Sequence, residues 1–458
     1  MRTGLLVAAV LLGSSLGAGE RIAVLGDSIT HGGRYVGFLQ LLHELRCPQK
    51  KVQIINCGLG GESAEGGLAR FDYNVLAENP DTVAIMFGMN DIGRNTYGEG
   101  LSNRNLDGAR EKALADYERN LRELVARARK AKKRVILFSP TPYDEYGAER
   151  KCASLKGCNE VGLRRCAEIV RKIGVDSQVE VLELYPQLTA ILKKEVNTPI
   201  LADRVHPGSV GSIIIAGELF LALGNDGGVC EVEKDAAGRR GMEFEYAPKR
   251  LPLPKIDGYE QADAIWDVTG KLNREIVRIK GLPEGRYSLA ADGEEFAVFT
   301  SSELARGVNI ALLDTPNARI AASVATNILD WIRCESDWQY SFHDKRKIAE
   351  KGGDPRSLEG VLRVTEERDR AKAESSWKWM EGRRNWAIAC RKRMHELAKP
   401  VAYRLSVTPV RKSANEVYVS PTGDDFELGT RDRPFRTIET ARNTLRKAKG
   451  TRKRMVLL

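Results

Sequence analysis

Five short, nearly continuous apolar runs between residues 21 and 184 constrain the fold more than any other feature of this 458-residue sequence. They are rich in valine and isoleucine: RIAVLG (21–26), VQIIN (52–56), TVAIMF (82–87), RVILFS (134–139) and VEVLEL (179–184). Such runs are typical of parallel strands that are buried on both faces. Because longer amphipathic stretches separate them, we predict an α/β fold with a five-stranded, mostly parallel sheet and helices on both sides.

One of the intervening stretches shows the helical spacing clearly. Its apolar residues are Leu114, Tyr117, Leu121, Leu124, Val125 and Ala128. They fall on one face of a helix, which predicts an amphipathic helix between the third and fourth strands.

The chain is long enough for about three domains, and its character changes after residue 225. We assign residues to a first α/β domain, a small β-rich module, a helical region, and a linker followed by the start of a further β domain. The respective boundaries are 20–225, 226–314, 315–400 and 401–458.

The two middle regions carry further signals. Within the module, Asp292-Gly293 between two apolar runs predicts a hairpin turn. The helical region carries Trp331, Trp338, Trp377, Trp379 and Trp386. We interpret most of these tryptophans as packing anchors, with a sugar-stacking surface as the alternative.

The N-terminus has the pattern of a secretion signal. Met1-Arg2-Thr3 is followed by GLLVAAVLLGSSLGAG, an apolar stretch with small residues suited to cleavage near residues 17–19. We therefore predict a signal peptide over 1–19 and a secreted or periplasmic protein without a membrane span after cleavage; a buried helix is the alternative. Export permits disulfides, and the best candidate pairs are Cys152 with Cys158 and Cys47 with Cys57.

The positive charge is concentrated in the C-terminal part of the chain. Residues 341–458 carry +13 and the remainder carries −3, for the net charge of +10. The run ARNTLRKAKGTRKR is suited to bind a polyanion, although such a run is more often a solvated helix face. Because export argues against nucleic acid, no nucleic-acid partner is expected.

Polar and glycine residues follow the apolar runs. In an open parallel sheet, ligands bind beyond the carboxyl ends of the strands, so these residues meet at one edge. The first run leads into Gly26-Asp27-Ser28, the second into NCGLGGES (56–63), the third into GMND (88–91), and the fifth is followed by DRVHPG (203–208). A hydroxyl, a glycine-rich turn, an amide and an Asp-x-x-His pair therefore converge, which predicts a hydrolytic site.

The expected chemistry gives each group a role. Ser28 is the nucleophile, His206 is the base that removes its proton, and Asp203 holds the imidazole in the required tautomer. The oxyanion formed by the attack needs preorganised donors, and we assign the backbone N–H groups of Ser28 and Gly61 and the side-chain amide of Asn90. Each signal is weak alone, since a Gly-Asp-Ser is often only a turn. Their occurrence in order, each after its own strand, carries the prediction.

Three further polar residues lie near the predicted site. We expect Asp27 to organise the serine turn and Asp91 to hold the third loop. His31 is a rival base three residues after Ser28, but on the same turn it is expected to line the site or face solvent. The sequence has no metal-ligand spacing, and no cofactor is expected.

These motifs resemble the SGNH (GDSL-type) hydrolases over about residues 21–224. GDSIT is similar to the family's first block with Ser28 as nucleophile, and GLGG with Gly61 to its second. GMND with Asn90 is similar to the third, and DRVHP with Asp203 and His206 to the fifth. The resemblance implies a flavodoxin-like three-layer α/β/α fold, no metal, and ester hydrolysis through an acyl-serine. The sequence lacks the Gly-x-Ser-x-Gly elbow of the α/β-hydrolases.

The last stretch resembles a second family. Residues 416–458, with YVSPTGDD and GTRDRPFRTIETA, are similar to the N-terminal cap of right-handed parallel β-helix proteins of the pectate-lyase-like kind. That resemblance implies a β-helix whose coils are missing, since a strand that ends at the final residue has no later strand to pair with.

The triad implies an ester substrate without naming the ester. Export and the β regions favour removal of O-acetyl groups from carbohydrate or polysaccharide. Two alternatives stay open: a GDSL-type lipase or acylhydrolase for lipid or aryl esters, and an inert carbohydrate-binding or scaffold protein. The sequence does not determine the oligomeric state.

Overall fold

The computed structural model of the protein describes residues 15–98, 106–147, 154–194, 200–410, 416–427, 429–447 and 453–458, so most of the predicted signal peptide lies outside the described residues. The strands are β1 (Arg21–Gly26), β2 (Gln53–Gly58), β3 (Thr82–Met86), β4 (Arg134–Phe138), β5 (Glu180–Leu182), β6 (Cys230–Asp235), β7 (Met242–Tyr246), β8 (Glu275–Lys280), β9 (Arg286–Ala291), β10 (Glu294–Thr300), β11 (Val308–Asn309), β12 (Tyr403–Pro409), β13 (Glu416–Val419) and β14 (Arg454–Leu457). The helices are α1 (Ser28–His31), α2 (Arg34–Arg46), α3 (Ala64–Ala69), α4 (Leu106–Lys130), α5 (Arg164–Ser177), α6 (Tyr185–Lys194), α7 (Ser209–Ala222), α8 (Tyr259–Trp266), α9 (Val268–Leu272), α10 (Ser301–Arg306), α11 (Pro316–Tyr340), α12 (Phe342–Glu350), α13 (Leu358–Arg363), α14 (Arg370–Leu397) and α15 (Ile438–Lys447).

The chain forms two compact units, each assembled from segments that are distant in sequence. The first unit comprises the described parts of Met1–Cys230, Pro248–Glu275 and Asn317–Val401. The second comprises the described parts of Glu231–Ala247, Ile276–Pro316 and Ala402–Leu458. The helices of 317–401, which the sequence analysis sets apart as a region of their own, thus belong to the first unit.

The first unit is built around a five-stranded sheet. Its strand order is β2-β1-β3-β4-β5, and all neighbouring strands are parallel. The predicted α/β fold with a five-stranded parallel sheet and flanking helices is therefore confirmed. Gly26 at the end of β1 is opposite Gly58 of β2 and Met86 of β3, so the carboxyl ends of three strands lie side by side.

Helix α11 approaches α2 closely. A methyl group added at Gly37 of α2 would lie 2.3 Å from Cγ1 of Ile332, so the approach requires a glycine. Among the tryptophans of these helices, Trp331, Trp338 and Trp377 are buried, whereas Trp379 and Trp386 are exposed. The interpretation of tryptophans as packing anchors is thus confirmed for three of the five.

Two larger sheets lie in the second unit, and the first of them is antiparallel throughout. One sheet has the order β10-β9-β12-β7, and the other has the order β11-β8-β6. The predicted hairpin at Asp292-Gly293 is confirmed, since it joins β9 to β10 and both residues have positive φ. Strand β12 comes from residues expected to be a linker. Its alternating Tyr403, Leu405 and Val407 are buried, which explains why it pairs as a strand.

The C-terminal residues form a small β-α-β arrangement within the second unit. Strand β14 pairs in parallel with β13, with Glu416 opposite Arg454, and α15 packs on them. The final strand therefore has a partner earlier in the chain. The resemblance to the start of a β-helix stays a prediction.

The cysteines that the structure describes are free thiols, which corrects the proposed pairing of Cys47 with Cys57. The Cys57 Sγ donates to the carbonyl of Asn74, whereas the Cys47 Sγ donates to the Asn225 side chain, so the two thiols have different neighbours. Cys152 lies outside the described residues. Among the described helices, none has the length and apolarity needed to cross a bilayer.

Candidate active site

Ser28, His206 and Asp203 form a continuous hydrogen-bonded series. The Ser28 Oγ is 2.8 Å from His206 Nε2, and His206 Nδ1 is 2.7 Å from Asp203 Oδ2. A carboxylate can only accept, so Nδ1 carries a hydrogen and Nε2 is left to accept from the serine hydroxyl. This is the tautomer that a base acting on Ser28 needs.

The loop that carries Asp203 and His206 is held by its own backbone. Leu201 and Pro207 form an antiparallel bridge, and the Ala202 N–H donates to the His206 carbonyl at 3.0 Å. Asp203 Oδ1 accepts from the backbone N–H of His206 at 2.7 Å and of Val205 at 3.1 Å. One carboxylate thus fixes both the loop and the imidazole with different oxygens.

These contacts determine the charge of Asp203. Partial burial by itself raises the pKa of the carboxyl, but the hydrogen bonds from the His206 backbone, the imidazole and Val205 outweigh it, so the net pKa is lowered. Asp203 is therefore ionised at neutral pH and can stabilise a positive imidazolium.

Two glycines allow the serine turn to sit at the sheet edge. Asp27 caps α1, with its Oδ1 accepting from the Ile29 N–H at 2.9 Å, and Ser28 is the first residue of the helix. A Cβ at Gly58 would lie 2.2 Å from the His31 backbone nitrogen, and one at Gly26 would lie 2.9 Å from the Met86 carbonyl oxygen. Any larger residue would push the turn away from the strands.

The predicted oxyanion donors lie on three connected loops. The Ser28 N–H is at the first position of α1, where N–H groups have no partner within the helix. Gly61 has a φ of +77° and nothing within 4 Å of an added Cβ, so the space beside its Cα is open. Asn90 Nδ2 donates to the Glu62 carbonyl at 2.8 Å, which connects the third loop to the second.

The Asp91 carboxylate connects the second and third loops through hydrogen bonds from their backbones. Its Oδ1 accepts from the Ala64 N–H at 2.8 Å and its Oδ2 from the Gly88 N–H at 2.9 Å. Burial raises the pKa of Asp91 to about 7 against these hydrogen bonds. Burial likewise raises the pKa of Asp27 to about 6, opposed by the Ile29 N–H and by the charges of His206 and Arg94.

His31 faces away from the proton-transfer path. Its Nε2 donates to the carbonyl of Ser336 in α11 at 3.0 Å, and its ring stacks on Tyr340 with centroids 6.0 Å apart. The structure brings His206, and not His31, to the Ser28 hydroxyl.

Three residues without a predicted role also hold the site. Arg70 is buried and donates to the carbonyls of Gly26 at 3.0 Å and Cys57 at 2.8 Å, which ties together the ends of β1 and β2. Asn56 accepts from the Gly58 N–H at 2.9 Å and donates to the His31 carbonyl at 3.2 Å. Arg94 supports Asn90, because its guanidinium donates to the Asn90 Oδ1 at 3.2 Å.

A flavodoxin-like sheet with this Ser-His-Asp series at its carboxyl edge defines a hydrolase of the SGNH class. In agreement, residues 24–212 match the GDSL-like lipase/acylhydrolase family. The chain is also 27% identical over 230 residues to an acetylxylan esterase of Geobacillus stearothermophilus. That match covers 46% of this chain and 96% of the relative.

A solved structure shares the fold over a longer stretch. It is described as a gut microbial diltiazem-metabolizing enzyme, and it aligns with a TM-score of 0.76 at 20% identity. The alignment covers 87% of this chain and 99% of the other. The likeness shows that the fold of residues outside 24–212 also occurs in another protein.

Proposed function

We propose that the protein is a serine esterase that removes O-acetyl groups from carbohydrate through an acyl-serine intermediate, with Ser28, His206 and Asp203 as the catalytic residues. The observation that carries the proposal is the unbroken series from the Ser28 Oγ through the imidazole to Asp203. The similarity to an acetylxylan esterase supports the choice of acyl group and substrate.

The reaction proceeds in two matched steps. The Ser28 Oγ attacks the acyl carbon as its proton passes to His206 Nε2, and the imidazolium then protonates the departing sugar hydroxyl. Water repeats the sequence on the acyl-serine and releases acetate and free Ser28. Asp203 accepts from Nδ1 throughout and stabilises the imidazolium without taking its proton.

The oxyanion of each tetrahedral intermediate receives N–H groups from Ser28, Gly61 and Asn90. An amide nitrogen carries two hydrogens, and Asn90 uses one of them for the Glu62 carbonyl, so the other serves the oxyanion. Because Glu62 and Arg94 hold Asn90 in place, the donor does not reorganise during the reaction.

The test compares wild-type protein with Ser28→Ala and His206→Ala. The substrates are p-nitrophenyl esters from acetate to palmitate, followed by acetylated xylan and pectin with released acetate as readout. We expect turnover of short acyl chains and of a polysaccharide, and its loss in both variants while thermal unfolding stays unchanged. A preference for long chains would instead assign the protein to the lipases. Activity that survives Ser28→Ala would refute the catalytic assignment.

A further inference from the structure

A groove lies among the helices of the first unit. It has a volume of about 830 Å³, within the range of ligand sites, and is formed by the end of α11 together with α12, α13 and α14. Tyr340 belongs both to the groove and to the surroundings of the active site, since its ring stacks on His31 of the helix that begins with Ser28.

The walls combine aromatic rings with hydroxyl groups. Tyr340 is 66% exposed and Trp379 is 57% exposed, so part of each ring is accessible to a ligand, although Tyr340 stacks on His31 and the Arg383 guanidinium lies 5.7 Å from the Trp379 ring centroid. Ser375, Ser376 and Thr365 also line the groove. Aromatic faces for the C–H side of a pyranose ring, with hydroxyls between them, are the groups that a saccharide chain needs.

A buried lysine without a partner lines the same groove. Lys345 is 1% exposed, and its Nζ makes no hydrogen bond among the described residues. Three aromatic rings surround the Nζ: Trp338 with its centroid at 3.4 Å, Phe342 at 4.1 Å and Trp377 at 5.4 Å. Aromatic faces offset only part of the cost of burying an ammonium group.

Charged groups of both signs surround Lys345. Burial, together with Arg356 and Arg384, lowers the pKa of Lys345 to about 6, whereas Glu78 and Asp354 raise it. Both arginines already pair with Glu78. A carboxylate entering from the groove would accept a hydrogen bond from the Lys345 Nζ and would cause the amine to take up a proton.

We infer that this groove binds a saccharide chain that carries a carboxylate, with its pyranose rings against Tyr340 and Trp379 and its acid group at Lys345. The inference rests on the proposed function, because it takes the groove as the continuation of the substrate site. It also narrows that function to esters of acidic polysaccharides. To reach the ligand, the Lys345 Nζ moves away from the three aromatic rings that surround it, which its four-carbon stem allows.

The test measures binding apart from turnover, by calorimetry on the full chain with Ser28→Ala. The probes are tetragalacturonate and the neutral xylotetraose. We expect the acid to bind about tenfold to a hundredfold more tightly, the effect of one charge-assisted hydrogen bond. When the acid binds near pH 7, the protein should take up a proton, so the measured heat of binding should change with the ionisation enthalpy of the buffer. The affinity for the acid should be higher at pH 5.5 than at pH 8.

Two variants of this protein locate the site. Lys345→Met, which keeps the length of the side chain, should abolish the preference for the acid, and Trp379→Ala at an exposed position should weaken both sugars. Lys351→Met, on an exposed lysine just after α12, is the matched control and should change neither. Equal affinity for the two probes, no binding of either, or a preference that survives Lys345→Met would overturn the inference.

Binding and esterase activity can fail separately. If wild-type protein hydrolyses p-nitrophenyl acetate but Ser28→Ala binds neither sugar, the groove assignment fails and the esterase stands. If the acid binds as expected but no ester is hydrolysed, the proposed function fails and the groove is a binding site in its own right.

Discussion

Replacing Asp203 by asparagine separates the two tasks of this carboxylate. The asparagine oxygen can still accept from the backbone N–H groups of Val205 and His206, so the loop should keep its conformation. At the other position an NH₂ group would replace Oδ2, which now lies 2.7 Å from His206 Nδ1. An NH₂ group donates, so Nδ1 would have to accept and the hydrogen would move to Nε2, facing Ser28.

The cost follows from these contacts. The charge-assisted hydrogen bond to the imidazolium is worth about 1.5–3 kcal/mol, or roughly tenfold to a hundredfold in rate. The wrong tautomer adds to this, and comparable triads lose about 10⁴-fold in kcat with this substitution. We therefore expect Asp203→Asn to lower kcat on p-nitrophenyl acetate by about 10³ to 10⁴-fold.

The assay pairs initial rates with thermal unfolding. Asp107→Asn is the control, because that carboxyl is 90% exposed and pairs with Arg110 on α4. The control should retain wild-type rates, and Asp203→Asn should unfold at a temperature close to wild type. A folded Asp203→Asn protein that loses less than about tenfold would show that the imidazole is oriented by something else.

Three other perturbations follow from the site. Asn90→Ala should lower kcat by about 10²-fold or more with little effect on unfolding, as steady-state kinetics would show; an unchanged kcat would remove Asn90 from the oxyanion donors. Gly58→Ala should lower the free energy of unfolding, measured in urea, by about 1–3 kcal/mol or more, because its Cβ would lie 2.2 Å from the His31 nitrogen. The control is Gly382→Ala, at an open helical position, which should be neutral or stabilising. The raised pKa of Asp91, about 7, means that the native state binds its proton more tightly than the unfolded state, so unfolding free energy should fall as pH rises from about 4 to 7, by up to about 1.4 kcal/mol per pH unit. Asp91→Asn should remove this contribution, and an identical pH dependence in wild type and variant would contradict the assignment.

The sheet was predictable because its signal is local and strong. Each strand is an apolar run with turn residues after it, and the parallel arrangement places the ends of the runs together. The limits predicted for the fifth strand were the least accurate. Only Glu180–Leu182 forms β5, and two of these three residues are only partly buried. An edge strand with one neighbour needs less apolar sequence, so its limits are poorly marked.

The membership of α11 to α14 in the first unit was not predictable. It depends on contacts such as Ile332 against Gly37, which join residues far apart in sequence and leave no periodic pattern. A glycine inside a helix indicates a close approach only after the partner is known. The same limit applies to β12, whose short alternation resembles that of many linkers.

For the candidate site, the residues with side-chain motifs could be predicted and the supporting residues could not. Ser28, Asp203 and His206 belong to strand-end motifs, and the structure brings them within hydrogen-bond distance of one another. Arg70 and Asn56 instead bind backbone carbonyl and N–H groups, which every residue possesses. No spacing in the sequence distinguishes such a residue from an ordinary buried polar one.

The close packing of α2 against α11 also bears on how the nascent chain folds. Ile332 is synthesised long after Gly37, roughly 15 to 60 s later at usual rates of translation. During that interval both segments of the second unit that precede α11 are synthesised, while the face of α2 that Ile332 covers is still open. We expect chaperone binding to nascent chains to persist until α11 emerges. Two ribosome-bound chains would reveal this: one stalled at Tyr340, with α11 still inside the ribosome, and one stalled at Val401, with α11 outside it.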